Sequence, residues 1–464
     1  MATETSTADT KETTRTEAFV SRLNSVYPDP LLMAILLAIV TLITVTPYYA
    51  TPVQQLEVFA TGFFNLFALQ MGLILFWVVS AVIAESRITG SLFDKIVAQL
   101  PTGSQTTVVY ATGVVSLIFA LFNWALGLIG GVLIGYKLAQ RAEQEGTAVH
   151  YPAVLAASLL SLVIMNQGIS SPGALLMADP TGTVNFLAQG ESGQLVLDIG
   201  TFLLNPVNGI SMILFVVTLP LLIAKLAPSE VANRQSASDT LELNIGEKSL
   251  KEYLSHHSLP SEEEMEIADK LEQSRKLSVI TVFVGSSSVV TYFISGGKLT
   301  LLWFLFAIIM LGILLQERPM AFVEKTKEST KWAKHVAIPF LLYANIHYLL
   351  DGAGLYDSFA TTLSSTGVPQ ISSYFVALGL GLLIPDPGSV WVIQSPAVLG
   401  TGTELGAALV PVMYGAGMSN FWLSFLFIGL IGTVSSFSWS EYFRYAAVVT
   451  GYVSIVLVAL LLAF

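Results

Sequence analysis

Cysteine is absent from the 464 residues, which excludes disulfides, iron–sulfur clusters and thiol chemistry. Charge is scarce. Asp, Glu, Lys and Arg make up 11% of the chain, where a soluble protein of this length carries about 25%. The sequence holds no HExxH, no metal-spaced cluster of His and Glu, no Walker A motif and no GxSxG. Intramembrane proteolysis and ATP-driven chemistry therefore have no visible apparatus, and we expect no enzyme. The balance of charge that remains is acidic, −11 net, so nucleic acid is not an expected partner.

Apolar length takes the place of charge. Hydrophobic residues make up 53% of the chain, with a mean hydropathy of +0.70. Runs long enough to cross a bilayer, which needs roughly 20 residues as helix, recur at Leu31–Thr46, Gly62–Ala84, Gly209–Ala227, Leu299–Gln316, Phe421–Thr433 and Tyr445–Phe464. The alternating pattern of a β-barrel is absent. The expected fold is an all-α polytopic membrane protein. Residues 1–29 form a polar tail rich in Thr and Glu, with no basic region leading into a cleavable apolar one. Lys225–Lys276 holds seven Lys/Arg against eleven Asp/Glu, including Glu262, Glu263, Glu264 and Glu266, and reads as a solvated acidic loop.

Lys and Arg in short loops mark the cytoplasmic side. Lys11, Arg15 and Arg22 place the tail inside; Pro47–Thr61 has neither residue and is outside; Arg87 and Lys95 are inside. Val108–Tyr136 then runs to Lys137 and Arg141, again inside. As one helix its 29 residues would be about 43 Å long, too long for a core of about 30 Å. Folded in two it is a re-entrant hairpin with its tip at Phe122–Gly131. The same rule puts Asp179–Asp198 and Asp351–Ile371 outside, Arg318 to Lys334 inside, and makes Ser372–Gly400 a second hairpin entering from outside. Segments Pro152–Asp179 and Glu404–Thr433 are interrupted at "NQGISSPG" (Asn166–Gly173) and "MYGAGMSN" (Met413–Asn420). The order is helix, helix, hairpin, broken helix, helix, a linking helix, then the same five elements inverted. The predicted divisions are 30–227, the acidic loop 228–276, the linking helix 277–295, and 296–464, with hairpins at 108–136 and 372–400. About nine transmembrane helices and two opposed hairpins result, with the N-terminus cytoplasmic and the C-terminus outside. Inverted repeats with discontinuous helices meeting at the midplane mark secondary transporters. Irregular backbone survives at that depth only where protein buries it or a cavity wets it.

The interruptions supply the candidate site. Asn123 offers a carbonyl and an amide beside Trp124; Gly127, Gly130 and Gly131 serve close backbone approach or the site. Ser171 before Pro172 reads as an N-cap with proline at the first helical position, an exposed helix N-terminus that suits an anion, or as a tight turn. Asn166, Gln167 and Ser170 lie beside it. Asp386 before Pro387 repeats the cap, as does Asp29 before Pro30 at the first span. Capping alone explains Asp386; so does function, because an ionisable group at the midplane is costly. It would take up a coupling proton, since burial disfavours the charged form, or ligate Na+. Gly388, Ser389 and Gln394 add groups to that tip, and Tyr414, Ser419 and Asn420 are the polar members of the last break. His347 and Asp351, at i and i+4, are expected to pair at a helix end.

These residues resemble a known family. "YPDPLLMAILLAIVTLI", "FNWALGLIGG", "SSPGALLMADPTG", "LEQSRKLSVI" and "VWVIQSPAVL" are similar to the short-chain fatty acid transporters typified by the acetoacetate-operon permease, within the larger ion-transporter superfamily. The resemblance runs from about Pro28 to the C-terminus. It implies a scaffold with a mobile transport domain moving as an elevator, a homodimer, and ion-driven uptake of short monocarboxylates across the plasma membrane. The family's "NWG-G" tip falls on Asn123, Trp124 and Gly127, with Ala125 in place of glycine. Its "PSGGGHWVIQGP" falls on Pro385–Pro396, where Asp386 replaces serine, Pro387 and Ser389 replace glycine, and Val390 replaces histidine. From the breaks and the resemblance together, the expected substrate site is Asn123, Trp124, Asn166, Gln167, Ser170, Ser171, Gly388, Ser389, Gln394, Tyr414, Ser419 and Asn420. Asp386, Asn123 and Asn420 would couple H+ or Na+, with Na+ near Asn123 and Asp386. An amino-acid- or peptide-like carboxylate, and a channel or sensor on the same fold, are the alternatives.

Overall fold

The computed structural model describes residues 28–188, 195–229, 235–243, 265–434 and 439–464. The polar tail up to residue 27 and the acidic run Glu262–Glu264 lie outside them. The described residues are nearly all helical; two three-residue strands, Leu241–Leu243 and Gly432–Val434, pair antiparallel with Leu241 opposite Val434. Among the described residues six helices are long and apolar enough to cross a membrane, and three further helix pairs are bent at short breaks.

Local chemistry sets where helices begin. Five start with a capping side chain followed by proline: Asp29–Pro30, Thr51–Pro52, Ser171–Pro172, Asn205–Pro206 and Asp386–Pro387. Proline fits the first turn because its missing N–H would have no intrahelical partner, and the cap oxygen accepts an N–H that otherwise would have none.

Between these starts lie two helical hairpins. The first has arms Gln105–Phe122 and Gly131–Gln144, joined through Asn123–Ala125 and a π-helical turn, Leu126–Gly130. Its arms, about 27 and 21 Å long, extend beyond the apolar stretch on both sides. The Ser104 cap, rather than apolarity, sets the start. Glycines let the arms close: a Cβ on Gly127 would lie 2.6 Å from Ala120 Cα, and one on Gly131 2.5 Å from Ser116 Oγ. The second hairpin joins Pro369–Leu383 to Pro387–Leu399 through Ile384–Asp386, and Gln394 Nε2 ties the arms by donating to the Ser373 carbonyl at 2.8 Å.

Two expectations are corrected here. Met413–Asn420 is not an interruption: helix Leu405–Trp422 runs through it, and the chain bends by 59° only at Leu423, into Ser424–Ile431. Its glycines serve packing. A Cβ on Gly417 would lie 2.6 Å from the Val163 carbonyl oxygen, and one on Gly415 would strike the Tyr374 carbonyl. His347 does not pair with Asp351. Its Nδ1 lies 2.8 Å from the Tyr356 hydroxyl, which itself donates to the Ile393 carbonyl at 3.0 Å, so Nδ1 carries the proton and donates. The interruption at Asn166–Gly173 is present: Tyr151–Leu159 and Ser161–Ile164 give way to turns before the short helix Pro172–Met177.

Burial sorts the helices into a centre and a periphery. Every residue of Tyr151–Leu159 is buried, as is the run Ala408–Phe421. Pro30–Val45, Arg275–Ile294 and the C-terminal helix Trp439–Ala463 instead expose apolar side chains, Ile43 at 68%, Phe283 at 73% and Ile455 at 71%. Such faces suit lipid. The hairpin tips and the broken segment sit in the centre.

Candidate functional site

One helix, Phe67–Ala84, receives the first hairpin tip and approaches the second at one residue. At the first tip Asn123 Nδ2 donates to Ser80 Oγ at 2.9 Å, and Trp124 packs on Trp77 with ring centroids 4.1 Å apart. At the second, the space beside Gly388 is bounded by Leu73, 3.4 Å from where a Cβ would stand. Leu73 and Ser80 are two turns apart, about 10 Å along the helix axis. Among the described residues no three His, Asp or Glu side chains gather as metal ligands.

Asn123 also closes its own tip. Its Oδ1 accepts the N–H of Ala125 at 2.9 Å and of Leu126 at 3.4 Å, capping the second arm where the first ends. Asp386 does the same with a carboxylate: Oδ2 accepts both the Ser389 N–H and the Ser389 hydroxyl at 2.7 Å. Asp386 is 3% exposed, whereas Asp29, with the same local sequence, is solvent-facing. The broken segment meets the first hairpin through the Ile169 N–H, which donates to the Leu121 carbonyl at 2.8 Å. It meets helix Leu405–Trp422 through Gln167 Nε2, 3.4 Å from the Val410 carbonyl. Ser171 caps Pro172–Met177 through the Ala174 N–H at 3.4 Å.

Every predicted site residue is buried, and they divide by what their polar atoms do. Tyr414, Ser419 and the Gln394 amide nitrogen hold helices together. Tyr414 OH pairs with Ser211 Oγ at 2.7 Å, and Ser419 Oγ donates to the Leu378 carbonyl at 2.8 Å. Others have polar atoms without a protein partner: both amide atoms of Asn166, Gln167 Oε1, Ser170 Oγ, Trp124 Nε1, Gln394 Oε1 and Asn420 Nδ2. A buried polar group left unpaired costs about 1–3 kcal/mol, so each of these calls for a ligand or water. Sequence reading missed several contributors. Ser80 and Trp77 lie in an unbroken apolar run with nothing to mark them. Asn208 Nδ2 binds the Gln167 carbonyl at 3.2 Å, while Trp391 Nε1 and Ser395 Oγ, inside the quoted "WVIQSP", are buried without partners.

Among the described residues, Lys325 is the one buried Lys or Arg, and it is paired with Glu85 at 2.8 Å. The tips therefore present neutral donors and one carboxylate.

Comparison with known proteins places this arrangement. The family model described as "Short chain fatty acid transporter" matches residues 12–462. A relative from Escherichia coli (strain K12), provisionally named a short-chain fatty acid transporter, is 25% identical over 420 residues, 88% of this chain and 90% of its own. One from Haemophilus influenzae with the same name is 25% identical over 425 residues, with the same coverage. The crystal structure of the Alcanivorax borkumensis YdaH transporter superposes with a TM-score of 0.54 at 13% identity, over 94% of this chain and 97% of that one, a likeness of fold. The match across nearly the whole chain accounts for the apolar helices and the buried polar breaks together. The protein is a multi-pass membrane transporter, not an enzyme, and it belongs to the short-chain fatty acid transporter family.

Proposed function

We propose that this protein is an ion-coupled secondary transporter of short-chain monocarboxylates, such as butyrate or acetoacetate, across the plasma membrane. The observation that carries the reading is the set of buried neutral donors without partners, Trp124 Nε1, Asn166 Nδ2, Ser170 Oγ and Asn420 Nδ2, while the one buried Lys or Arg among the described residues, Lys325, is ion-paired with Glu85. Neutral donors receive a carboxylate without binding it as an ion pair, so release on the far side remains feasible. The substrate's charge is then balanced by a cation that travels with it. Asp386 is the group for that cation, H+ on its carboxylate or Na+ at its oxygens with Gly388 and Ser389 beside it. Asn123 and Asn420 serve with Asp386 in coupling as well as at the substrate, with Na+, if that is the ion, near Asn123 and Asp386.

The names of the two relatives support the substrate class. The distribution of Lys and Arg supports a cytoplasmic N-terminus, an external C-terminus and hairpins re-entering from opposite sides. The family resemblance supports a homodimer with an elevator motion and kinship with the wider ion-transporter superfamily.

Purified protein in liposomes tests this. Labelled butyrate accumulates under an inward H+ or Na+ gradient, and Asp386→Asn uptake no longer responds to that gradient. Absence of gradient-dependent uptake across a panel of monocarboxylates sinks the substrate assignment, and accumulation of amino-acid- or peptide-like carboxylates alone redirects it. Currents far above transporter turnover make the protein a channel.

A further inference from the structure

A buried ion pair stands directly behind the first hairpin tip. Glu85 follows the last residue of helix Phe67–Ala84, and its side chain is 2% exposed. Oε2 pairs with Lys325 Nζ at 2.8 Å, and Lys325 reaches Glu328 at 2.9 Å as well. Oε1 accepts the indole N–H of Trp332 at 2.9 Å. Trp332 is 1% exposed and lies edge-on to Trp124, with centroids 5.6 Å apart. Trp124 in turn packs on Trp77 of the helix that ends at Glu85. The contacts thus run from Glu85 through Trp332 and Trp124 back to Trp77.

The segment carrying Lys325 and Trp332 is well placed to act on that tip. It follows helix Leu301–Gln316 after a 115° bend and packs along Phe67–Ala84. Gln316 Nε2 donates to the Val82 carbonyl at 3.0 Å, and Gln70 donates to the Ala337 carbonyl. It therefore clasps the helix that receives the first tip.

We infer that Glu85 and Trp332 are positioning residues: Glu85, anchored by Lys325, fixes the Trp332 indole, and Trp332 seats Trp124 of the hairpin tip against Trp77. Glu85 never meets the substrate in this scheme. A charge-assisted bond from a carboxylate to an indole N–H is stronger than a neutral one, and the buried pair with Lys325 holds the carboxylate at one place. Without Trp332 held in place, Trp124 loses one of the two tryptophan rings that set its orientation and with it the position of Nε1. The inference rests on the proposed placement of substrate at the first tip, and its test keeps the two apart.

Two tryptophan rings 4.1 Å apart and tilted by 47° couple excitonically, so circular dichroism reports the Trp77–Trp124 pair; Trp77→Phe, which leaves the Trp124–Trp332 contact in place, assigns the signal. Glu85→Leu removes the indole acceptor, while Glu85→Gln keeps one. In Glu85→Leu we expect the couplet to fall by half or more and KM for labelled carboxylate to rise about fivefold, with the maximal rate within about twofold, the split that marks lost binding geometry. Glu85→Gln should restore both. An unchanged couplet in folded Glu85→Leu overturns the inference, and so does Glu85→Gln being as damaged as Glu85→Leu, which would make the role that of the ion pair alone. A halved couplet with KM unchanged for every carboxylate supports the positioning and overturns the placement of substrate at Trp124. If Glu85→Leu fails to fold, Trp332→Phe keeps the ring against Trp124 without the bond; a raised KM there supports the inference and an unchanged one overturns it.

Discussion

Asn123 and Ser80 are bonded side chain to side chain at 2.9 Å, across 43 residues of sequence, while the other end of the same amide caps the backbone of Ala125. The two ends of one side chain thus do different jobs, and substitutions separate them. Asn123→Ala leaves the Ala125 N–H without its cap, a loss of about 1–2 kcal/mol, and frees Ser80. It should lower the melting temperature and abolish uptake. Ser80→Ala keeps the cap but leaves the buried Asn123 Nδ2 without its partner, a cost of about 1–3 kcal/mol. We expect it to fold, melting below the native protein, and to keep transporting with a KM for carboxylate raised severalfold. Equal loss of uptake in both variants would mean that Asn123 acts through its bond to Ser80 and that the cap adds nothing.

What the sequence disclosed follows from how local each device is. The caps at Asp29, Ser171 and Asp386 were readable because cap and first-turn proline lie side by side in the chain. The partner of Asn123 was not, because an isolated Ser80 in an apolar helix carries no local mark. Nor was the Glu85–Trp332 bond, whose ends lie 247 residues apart. Gly415 and Gly417 misled for the same reason. In isolation, glycines in a helical run suggest a break, but here the neighbouring backbones at Tyr374 and Val163 demand them.

Gly168 is the glycine on which the broken segment turns. A Cβ there would collide with the backbone of Leu121, the residue whose carbonyl accepts the Ile169 N–H. Because that obstacle is backbone, repacking a side chain cannot relieve it, and overpacking of this kind costs about 1–3 kcal/mol. Gly168→Ala should lower the melting temperature and stop uptake. Gly90→Ala is the control: nothing stands within 4 Å of its Cβ, and alanine in a helix should hold or raise the melting temperature.

Tyr414 is expected to serve structure rather than substrate. Its hydroxyl pairs with Ser211 Oγ, which also donates to the Asn208 carbonyl at 3.0 Å, so removing the hydroxyl leaves Ser211 bonded. The ring keeps its edge-on contact with Phe215. Tyr414→Phe should cost about 1 kcal/mol or less, with uptake within about twofold of native. A tenfold loss of uptake at native stability would return Tyr414 to the substrate site.

Asp179 links stability to pH outside the apolar helices. Burial pushes its carboxyl up, but the Val184 and Thr181 N–H groups and the Thr181 hydroxyl outweigh it, and it titrates below the usual carboxylate range. A folded value below the unfolded one, about 3.9, means the contribution is whole above about pH 4 and is lost as pH falls through the folded value. Asp179→Asn should therefore melt lower than native protein at pH 7, and the gap should narrow steadily below about pH 4. A gap independent of pH would trace the effect to the amide's geometry instead of the charge.

Asp386 joins capping and coupling in one residue, and stability and transport respond to different substitutions. Asparagine caps about as well as aspartate, so Asp386→Asn keeps an oxygen for the Ser389 N–H and should melt within a few tenths of a kcal/mol of native protein. Asp386→Ala loses the cap of helix Pro387–Leu399 and should cost about 1–2 kcal/mol. Coupling depends on charge rather than on the cap. If Asp386 carries the coupling ion, both variants lose the response of uptake to an H+ or Na+ gradient, and only Asp386→Ala also loses stability. If it is only a cap, Asp386→Asn transports as the native protein does, gradient response included. Melting curves and gradient-driven uptake on these two variants decide between the readings, because the cap needs an oxygen and the coupling site needs a titratable or charged one.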